Sequence, residues 1–222
     1  MSSTRFRWVF CQLETLRQCL PGTVRHTIKE LPESLDLTYE RVIKDIWKAN
    51  RAHAYRLLQC LMVAIRPLYV DELAEVLAFD FDSAERGIPK FNASWRWVDQ
   101  EEAVLSTCSS LVSVVAADNS RRVVQFSHFS VKEFLMSDRL ASSKKSISDY
   151  HIALEKAHTV LAQACLGVLL SDPGDSNGAN RGHLAKYAAK HWTAHAQVPN
   201  VAAQVKSGME RLFDLNKPHF DA

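Results

Sequence analysis

The 222-residue sequence is poor in glycine and proline, with seven of each. This low content argues against β-sandwiches, propellers and disordered segments, which use these residues at their many turns. No apolar run approaches the ~20 residues of a membrane span. The N-terminus has no apolar signal segment either, because Arg5, Arg7, Gln12 and Glu14 interrupt it. We therefore expect a soluble cytoplasmic protein with no membrane partner.

A charge excess and paired cysteines are also absent. The net charge of +2, from 27 basic and 25 acidic residues, gives no general reason to expect nucleic-acid binding. The five cysteines are odd in number, far apart and without a C-x-x-C pair, which favours buried reduced thiols over a disulfide framework. Cys108 lies on a predicted apolar helical face, and we expect an inert thiol there rather than a nucleophile.

The sequence does contain a series of amphipathic helical patterns. The first has the i, i+3, i+4, i+7 spacing and comprises Phe6, Val9, Phe10, Leu13 and Leu16. Apolar residues from Leu154 to Val168 predict a long helix. Two further helices are predicted around Leu184–His195 and Val201–Phe213, after a loop at Ser171–Gly182. A hydrophobic content of 47% can supply a sizeable core. Because helical patterns of this kind dominate the chain, we predict a mainly α protein.

The middle of the chain has the order helix, short strand, helix, helix, β-hairpin, which is the order of a winged helix. The hairpin strands are predicted at Val112–Val115 and Val123–Phe126, with a turn at residues 118–120. A polar loop is predicted from about Asp80 to Trp97.

These patterns divide the chain into three predicted parts. Residues 1–50 form a helical linker, and residues 51–141 form a winged-helix domain with one small β-hairpin. Residues 149–222 begin a helical segment of the kind that builds a superhelical arm. The polar stretch at residues 142–148 separates the last two parts.

DNA binding is the first function that a winged helix suggests, because its third helix often enters the major groove. Here the third helix carries Asp99, Glu101 and Glu102 and no lysine or arginine. Carboxylates facing a phosphate backbone are repelled by it. Arg121 and Arg122 at the wing are the only nearby basic pair, so nucleic acid is not expected as a partner.

The junction after the hairpin is the most informative stretch. Ser130 and Glu133 have the S-x-x-E spacing of a capping box, which predicts a helix beginning at Ser130. Phe129 and Phe134 occupy the two positions of a hydrophobic staple. His128 is thereby held just before a helix N-terminus, where unpaired N–H groups favour an anion such as phosphate. The alternative is a histidine that merely fills the junction.

Two other groupings have ordinary explanations. His191 and His195 are four residues apart on one predicted helix and could face a metal. A tryptophan follows the first histidine where zincins have glutamate, and no third ligand is near, so no metal site is predicted. Trp95 and Trp97 flank Arg96 and could stack a base or a sugar. The alternative is that they pin the polar loop to the winged helix.

Several segments together resemble the region that follows the nucleotide-binding domain in fungal NACHT-type STAND NTPases. The winged-helix part of that region is also named the GPI inositol-deacylase winged-helix domain. The similarity extends from about Phe6 to Phe220. The segments that carry it are Leu31–Arg41, Leu57–Leu61, Val104–Leu111, Phe126–Leu135 and Tyr187–Trp192, the last of which resembles a helix that precedes ankyrin repeats.

The resemblance implies a regulatory role. In the family, the winged helix packs on the nucleotide-binding domain and helps to hold the resting ADP state. Plant and animal relatives have Met-His-Asp at the corresponding junction, and its histidine contacts the ADP β-phosphate. Ser127-His128-Phe129 matches that motif only at His128. By resemblance, His128 would contact a nucleotide only when a nucleotide-binding domain is present.

The chain itself is not expected to be an enzyme, because we expect neither a P-loop nor a hydrolase motif such as a G-x-S-x-G elbow in it, and no residue is assigned a catalytic role. It has no G-x-x-x-x-G-K-[ST] loop to cradle a nucleoside triphosphate, so ADP or ATP would be bound only through a separate nucleotide-binding domain. The expected partners are that domain and the repeat domain of a larger parent protein. Two alternatives stay open: an interaction scaffold without a switch role, and a DNA-binding winged helix.

Overall fold

The protein is described by a computed structural model that covers residues 2–17, 19–85, 87–117, 121–171 and 182–214. The predicted turn at residues 118–120 and most of the predicted loop at 171–182 lie outside the described residues. The predicted fold class is confirmed: the chain is mainly helical, with two small antiparallel sheets.

Twelve α-helices and five strands are present in the described part of the chain, together with four short 3-10 helices. The helices are α1 (Ser2–Arg17), α2 (Val24–Lys29), α3 (Leu35–Asp45), α4 (Arg51–Val63), α5 (Val70–Glu75), α6 (Gln100–Cys108), α7 (Phe129–Leu135), α8 (Asp138–Ala141), α9 (Lys145–Ser148), α10 (Leu154–Leu169), α11 (Ala185–Ala196) and α12 (Val201–Leu212). The strands are β1 (Leu68–Tyr69), β2 (Phe79–Glu85), β3 (Ile88–Phe91), β4 (Val112–Ala116) and β5 (Arg122–Phe126). None of the described helices is long and apolar enough to cross a membrane.

The winged helix consists of helices α4, α5 and α6 and a three-stranded sheet of order β1-β5-β4. Strands β4 and β5 form the predicted wing, with Val114 opposite Val124. The short strand β1 adds to the other edge of β5, where Leu68 also faces Val124. Leu68 and Val124 are both buried, so the sheet is held to the helices by its apolar face.

The predicted polar loop between Asp80 and Trp97 is wrong in its first half. Strands β2 and β3 form a second antiparallel hairpin there, inserted between the second and third helices of the winged helix. Its aromatic residues supply the reason: Phe79 is buried, and its ring lies 6.3 Å from that of Phe81 and 5.2 Å from that of Phe91. Burial of these rings outweighs the polarity of the intervening residues.

Two glycines let this second hairpin pack closely on the C-terminal helices. A Cβ at Gly167 on α10 would lie 2.7 Å from the Phe79 ring and 3.1 Å from Pro89 O. A Cβ at Gly208 on α12 would collide with the side chain of Ile88. The hairpin therefore sits between α10 and α12, and it ties the winged helix to the C-terminal segment.

Helix α10 is the central helix of the fold. It packs against α4 of the winged helix and against α11 and α12 of the C-terminal segment. Its fully buried residues are Ala157, Leu161, Ala162, Ala164, Cys165 and Leu166. One hydrophobic core therefore runs from the linker through the winged helix into the C-terminal helices. The part boundaries given above remain predictions, since the core is shared across them.

Helix α1 has the predicted apolar stripe but turns it away from the core. Phe6, Val9, Phe10 and Leu13 are 72%, 45%, 50% and 51% exposed. The inward face of α1 packs Trp8 and Cys11 against the core and also makes hydrogen bonds. Trp8 Nε1 donates to Pro32 O at 2.9 Å, and the buried Gln12 donates through Nε2 to Thr38 Oγ1 at 3.0 Å. An amphipathic helix normally does the reverse.

Buried ion pairs and hydrogen bonds fasten the C-terminal helices to α5. Glu75 is 2% exposed and accepts a hydrogen bond from Arg96 Nε at 2.7 Å. The same carboxylate accepts from the backbone N–H groups of His183 and Leu184, just before α11. One buried carboxylate thus joins the second winged-helix helix, the loop after β3 and the start of α11.

A second polar connection is a hydrogen-bonded chain between α10, α11 and the end of α4. Tyr187 Oη accepts from Ile65 N at 3.1 Å and lies 2.8 Å from His195 Nε2. His195 is fully buried, and its Nδ1 lies 2.9 Å from Nδ1 of His158. Burial, followed by the neighbouring charges of His158 and His191, lowers the pKa of His195 to about 4.

The lowered pKa of His195 predicts that the protein becomes less stable in acid. Its pKa in the folded state lies below the ordinary value of 6.5, so the unfolded chain binds the extra proton. The contribution of neutral His195 to the free energy of unfolding is complete above about pH 6.5 and is lost as the pH falls toward 4. It amounts to roughly 3 kcal/mol. Urea unfolding across this range should show the loss, and His195→Gln should reduce it. The control is His26→Gln, at an exposed histidine, which should leave this loss of stability unchanged. An equal dependence of the free energy of unfolding on pH in all three proteins would contradict the assignment.

Candidate functional site

The junction between β5 and α7 positions the candidate site, and the helix begins one residue earlier than predicted. Helix α7 starts at Phe129, with His128 as its N-cap in an extended conformation. The Nδ1 atom of His128 accepts the Ser130 N–H at 3.3 Å. The prediction that Ser130 caps the helix is therefore wrong, because an imidazole acceptor two residues upstream already binds that N–H.

The rest of the predicted cap fails for the same reason. With the cap at His128, Glu133 is too far along the helix for a capping box, and its side chain is exposed. Phe129 becomes the first helical residue and is 54% exposed, so it does not form the predicted staple. Phe134 is buried, but its ring packs on Tyr39 at 5.5 Å instead.

Ser130 has another role, as a buried link between two elements. Its Oγ lies 2.8 Å from Tyr39 Oη on α3 and 2.6 Å from His128 Nδ1. Because Nδ1 accepts from a backbone N–H, the neutral imidazole carries its proton on Nε2. The Ser130 hydroxyl then donates to Nδ1 and accepts from Tyr39. This chain of bonds fixes both the tautomer and the orientation of His128.

The surroundings of His128 lower its pKa and so favour the neutral imidazole. Partial burial lowers its pKa most, the nearby Arg7 guanidinium lowers it further, and Glu133 opposes both effects. A neutral ring with its proton on Nε2 is a hydrogen-bond donor rather than a fixed charge. The junction thus places an oriented imidazole beside the Arg7 cation.

Arg7 is the residue of the candidate site that sequence reasoning missed. It projects from α1, where its Nη2 donates to Ser127 Oγ at 2.6 Å and to Ser110 O at 3.3 Å. Ser127 Oγ in turn donates to Ser110 O at 2.7 Å. The basic residues of the N-terminal third look like a solvated face in the sequence, and no local pattern pairs α1 with the junction. Only the tertiary fold brings Arg7, Tyr39 and His128 together.

The surface that a DNA-binding winged helix would use is neutralised internally. Arg122 pairs with Glu101 on α6. Arg121 stacks on the Tyr69 ring, with Cζ 3.4 Å from its centroid, and lies 3.4 Å from Asp71 Oδ2. An open groove of about 540 Å³ separates these elements, and Asp71, Asp99 and Glu101 are among its lining residues. Both wing arginines are therefore engaged by carboxylates of the protein.

The other groupings from the sequence have structural explanations. His195 faces Tyr187 and His158 rather than a site shared with His191. In the described ranges no cluster of three or more His, Cys, Asp or Glu could hold a metal ion. Cys108 is fully buried, and burial raises its pKa strongly, as expected for an inert thiol. Arg96, rather than its tryptophan neighbours, pins the loop, and those tryptophans stay 44% and 56% exposed.

The expectation that the chain has no hydrolase motif is wrong as a statement about spacing. Gly174-Asp175-Ser176-Asn177-Gly178 has the G-x-S-x-G spacing of a hydrolase nucleophile elbow. These residues lie outside the described part of the chain. The described element before the motif is helix α10, whereas a nucleophile elbow follows a strand.

Comparison with known proteins supports the winged-helix assignment. Residues 39–147 match the family model described as "GPI inositol-deacylase, winged helix domain". A curated relative, "Azaphilone pigments biosynthesis cluster protein L" of Monascus ruber, is 29% identical over 199 residues. The match covers 85% of this chain but only 40% of that protein, so the chain spans about two fifths of the length of its relative. No solved structure matches significantly.

The corrected junction gives a stability prediction. Ser130→Ala should lower the free energy of unfolding by about 1–3 kcal/mol, because Tyr39 Oη loses its buried partner and His128 Nδ1 keeps only the backbone N–H of residue 130. Glu133→Ala is the control, and it should change stability by less than about 0.5 kcal/mol. Denaturant unfolding of both variants measures the difference. An equal loss of stability in the Ser130→Ala and Glu133→Ala variants would support the capping box and contradict the role given to Ser130.

Proposed function

We propose that the chain is a non-catalytic regulatory module of a larger signalling NTPase of the NACHT type. In this account the winged helix packs on the nucleotide-binding domain and helps to hold its resting state. The proposal is supported by the match of residues 39–147 to a winged-helix family and by the similarity of the flanking segments described above.

The observation that carries the proposal is the orientation of His128. A histidine that only filled the junction would need no fixed tautomer. Here Tyr39 and Ser130 direct its Nδ1 inward, so that Nε2 is the donor. Arg7 adds a positive charge beside it. A bound diphosphate offers the anionic acceptor that this pair suits.

The neutralised wing supports a protein partner over DNA. With Arg121 and Arg122 held by Asp71 and Glu101, the third helix and wing offer phosphates no unpaired cation of their own. We propose that the third helix and the wing contact protein surfaces, either in the same chain or in a partner. If the chain binds a nucleotide-binding domain equally well with and without nucleotide, the scaffold alternative replaces the switch.

The role of His128 predicts a change in ADP retention. His128→Asn keeps a good N-cap residue but removes the Nε2 donor, so the fold should be preserved. One charge-assisted bond is worth about 1.5–3 kcal/mol, which corresponds to about ten- to a hundred-fold weaker ADP binding. The measurement is ADP affinity of the nucleotide-binding domain joined to this module, with unfolding of the isolated module as the fold control. Unchanged affinity in a folded variant would return His128 to a space-filling role.

The charge of the wing surface predicts the outcome of a DNA-binding experiment. Fluorescence anisotropy with duplex DNA at moderate salt should show no sequence-specific complex. The triple variant Asp99→Lys, Glu101→Lys, Glu102→Lys should gain binding that disappears at high salt, because it presents cations to phosphates. A salt-resistant, sequence-specific complex of the unmodified chain would contradict the proposed partner class.

A further inference from the structure

A short exposed segment between α8 and α9 has the features of a modification site. Ser142 lies at the C-terminal end of α8 and is exposed, as are Lys144 and Lys145 after it. Arg139 precedes Ser142 by three residues, and no other arginine in the sequence stands three residues before a serine or threonine. Basic residues at fixed distances from a serine form a charge pattern by which protein kinases select substrates.

Arg139 also connects α8 to the linker helix α3. Its Nη1 lies 2.5 Å from Asp36 Oδ2, and its Nη2 lies 3.4 Å from Glu40 Oε1. The side chains of Arg139 and Asp36 are 47% and 44% exposed, so a new charge on the surface can reach this ion pair. Helix α3 also carries Tyr39, whose hydroxyl bonds Ser130 at the β5–α7 junction. The ion pairs of Arg139 therefore hold the helix that supports the junction.

We propose that Ser142 is a phosphorylation site for a kinase that selects basic residues, and that its phosphate competes with Asp36 and Glu40 for Arg139. In the reaction, the γ-phosphoryl group of ATP forms a bond to Ser142 Oγ. Its bond to the bridging oxygen breaks, ADP leaves, and the hydroxyl proton is released. The phosphoserine adds about −1.5 to −2 charges at neutral pH.

The position of Ser142 favours this competition. Its backbone N–H donates to Asp138 O at 2.9 Å, so the helical turn extends as far as Ser142. Side chains three residues apart on a helical turn are neighbours, which brings a phosphate on Ser142 within reach of Arg139. Charge-assisted bonds between guanidinium and phosphate are strong. A negative charge at the C-terminal end of a helix is also unfavourable. Both effects weaken the contact between α8 and α3.

The first test locates the phosphate. The folded 222-residue chain would be incubated with ATP and the catalytic subunit of cyclic-AMP-dependent protein kinase, a kinase that selects basic residues, and then mapped by mass spectrometry. We expect one phosphate on Ser142 and none in Ser142→Ala. Arg139→Ala should slow incorporation at least about tenfold. The matched control is Ser146→Ala, at another exposed serine of the segment, which should be phosphorylated like the unmodified chain.

Three results of this experiment would overturn the site. They are no incorporation into the unmodified chain, incorporation at Ser146 instead of Ser142, and an unchanged rate in Arg139→Ala. Circular dichroism establishes that each variant is folded.

The second test measures the competition for Arg139. Hydrogen–deuterium exchange of α3 amides should be about two- to fivefold faster in the phosphorylated chain, the scale for loss of exposed ion pairs. Exchange in α12 should stay the same. The control is the double variant Asp36→Asn, Glu40→Gln, which keeps Arg139 and Ser142 but lacks the competing carboxylates. Phosphorylation should leave its α3 exchange unchanged.

Unchanged α3 exchange in the phosphorylated chain would contradict the competition, and so would an equal acceleration in the double variant. Neither measurement uses a nucleotide-binding domain. The result is therefore independent of the regulatory role proposed for His128, and either proposal can fail while the other stands.

Discussion

Packing of helix α10 against several elements is the constraint on which the rest of the structure depends. This helix packs on α4, on the β2–β3 hairpin and on α11 and α12, so the winged helix and the C-terminal segment share one core. The close approach of Phe79 to Gly167 and the carboxylate of Glu75 reinforce the same contact. The two segments therefore share one core with the elements that carry the β5–α7 junction.

The orientation of His128 matters at the junction, because the chemistry of an imidazole depends on which nitrogen it presents. A histidine at a helix cap can present either nitrogen, and the Ser130 hydroxyl decides between them. That hydroxyl is itself held by Tyr39 from the linker helix α3. The linker, the winged helix and the candidate donor are thus coupled through three side chains. Displacement of the linker would change what His128 presents, which is a simple physical basis for a regulatory module.

The sequence was sufficient for features that rest on periodicity. It predicted α10, α12, the wing and the mainly helical class, because apolar spacing determines each. It failed where tertiary contacts decide. S-x-x-E spacing at Ser130 does not reveal that His128 already caps the helix. The stripe of α1 predicts a helix but not which side meets the core, since the hydrogen bonds of Gln12 and Trp8 set that. Nothing local pairs Arg7 with the junction.

The central claim is that the junction faces a nucleotide-binding domain, and hydrogen–deuterium exchange tests it most directly. The module would be measured alone and with the nucleotide-binding domain of its parent protein in the ADP-bound and ATP-bound forms. The account predicts that backbone amides around residues 127–131 become protected with the ADP form and less so with the ATP form. Protection that is absent, or that is the same with both nucleotides, would contradict it.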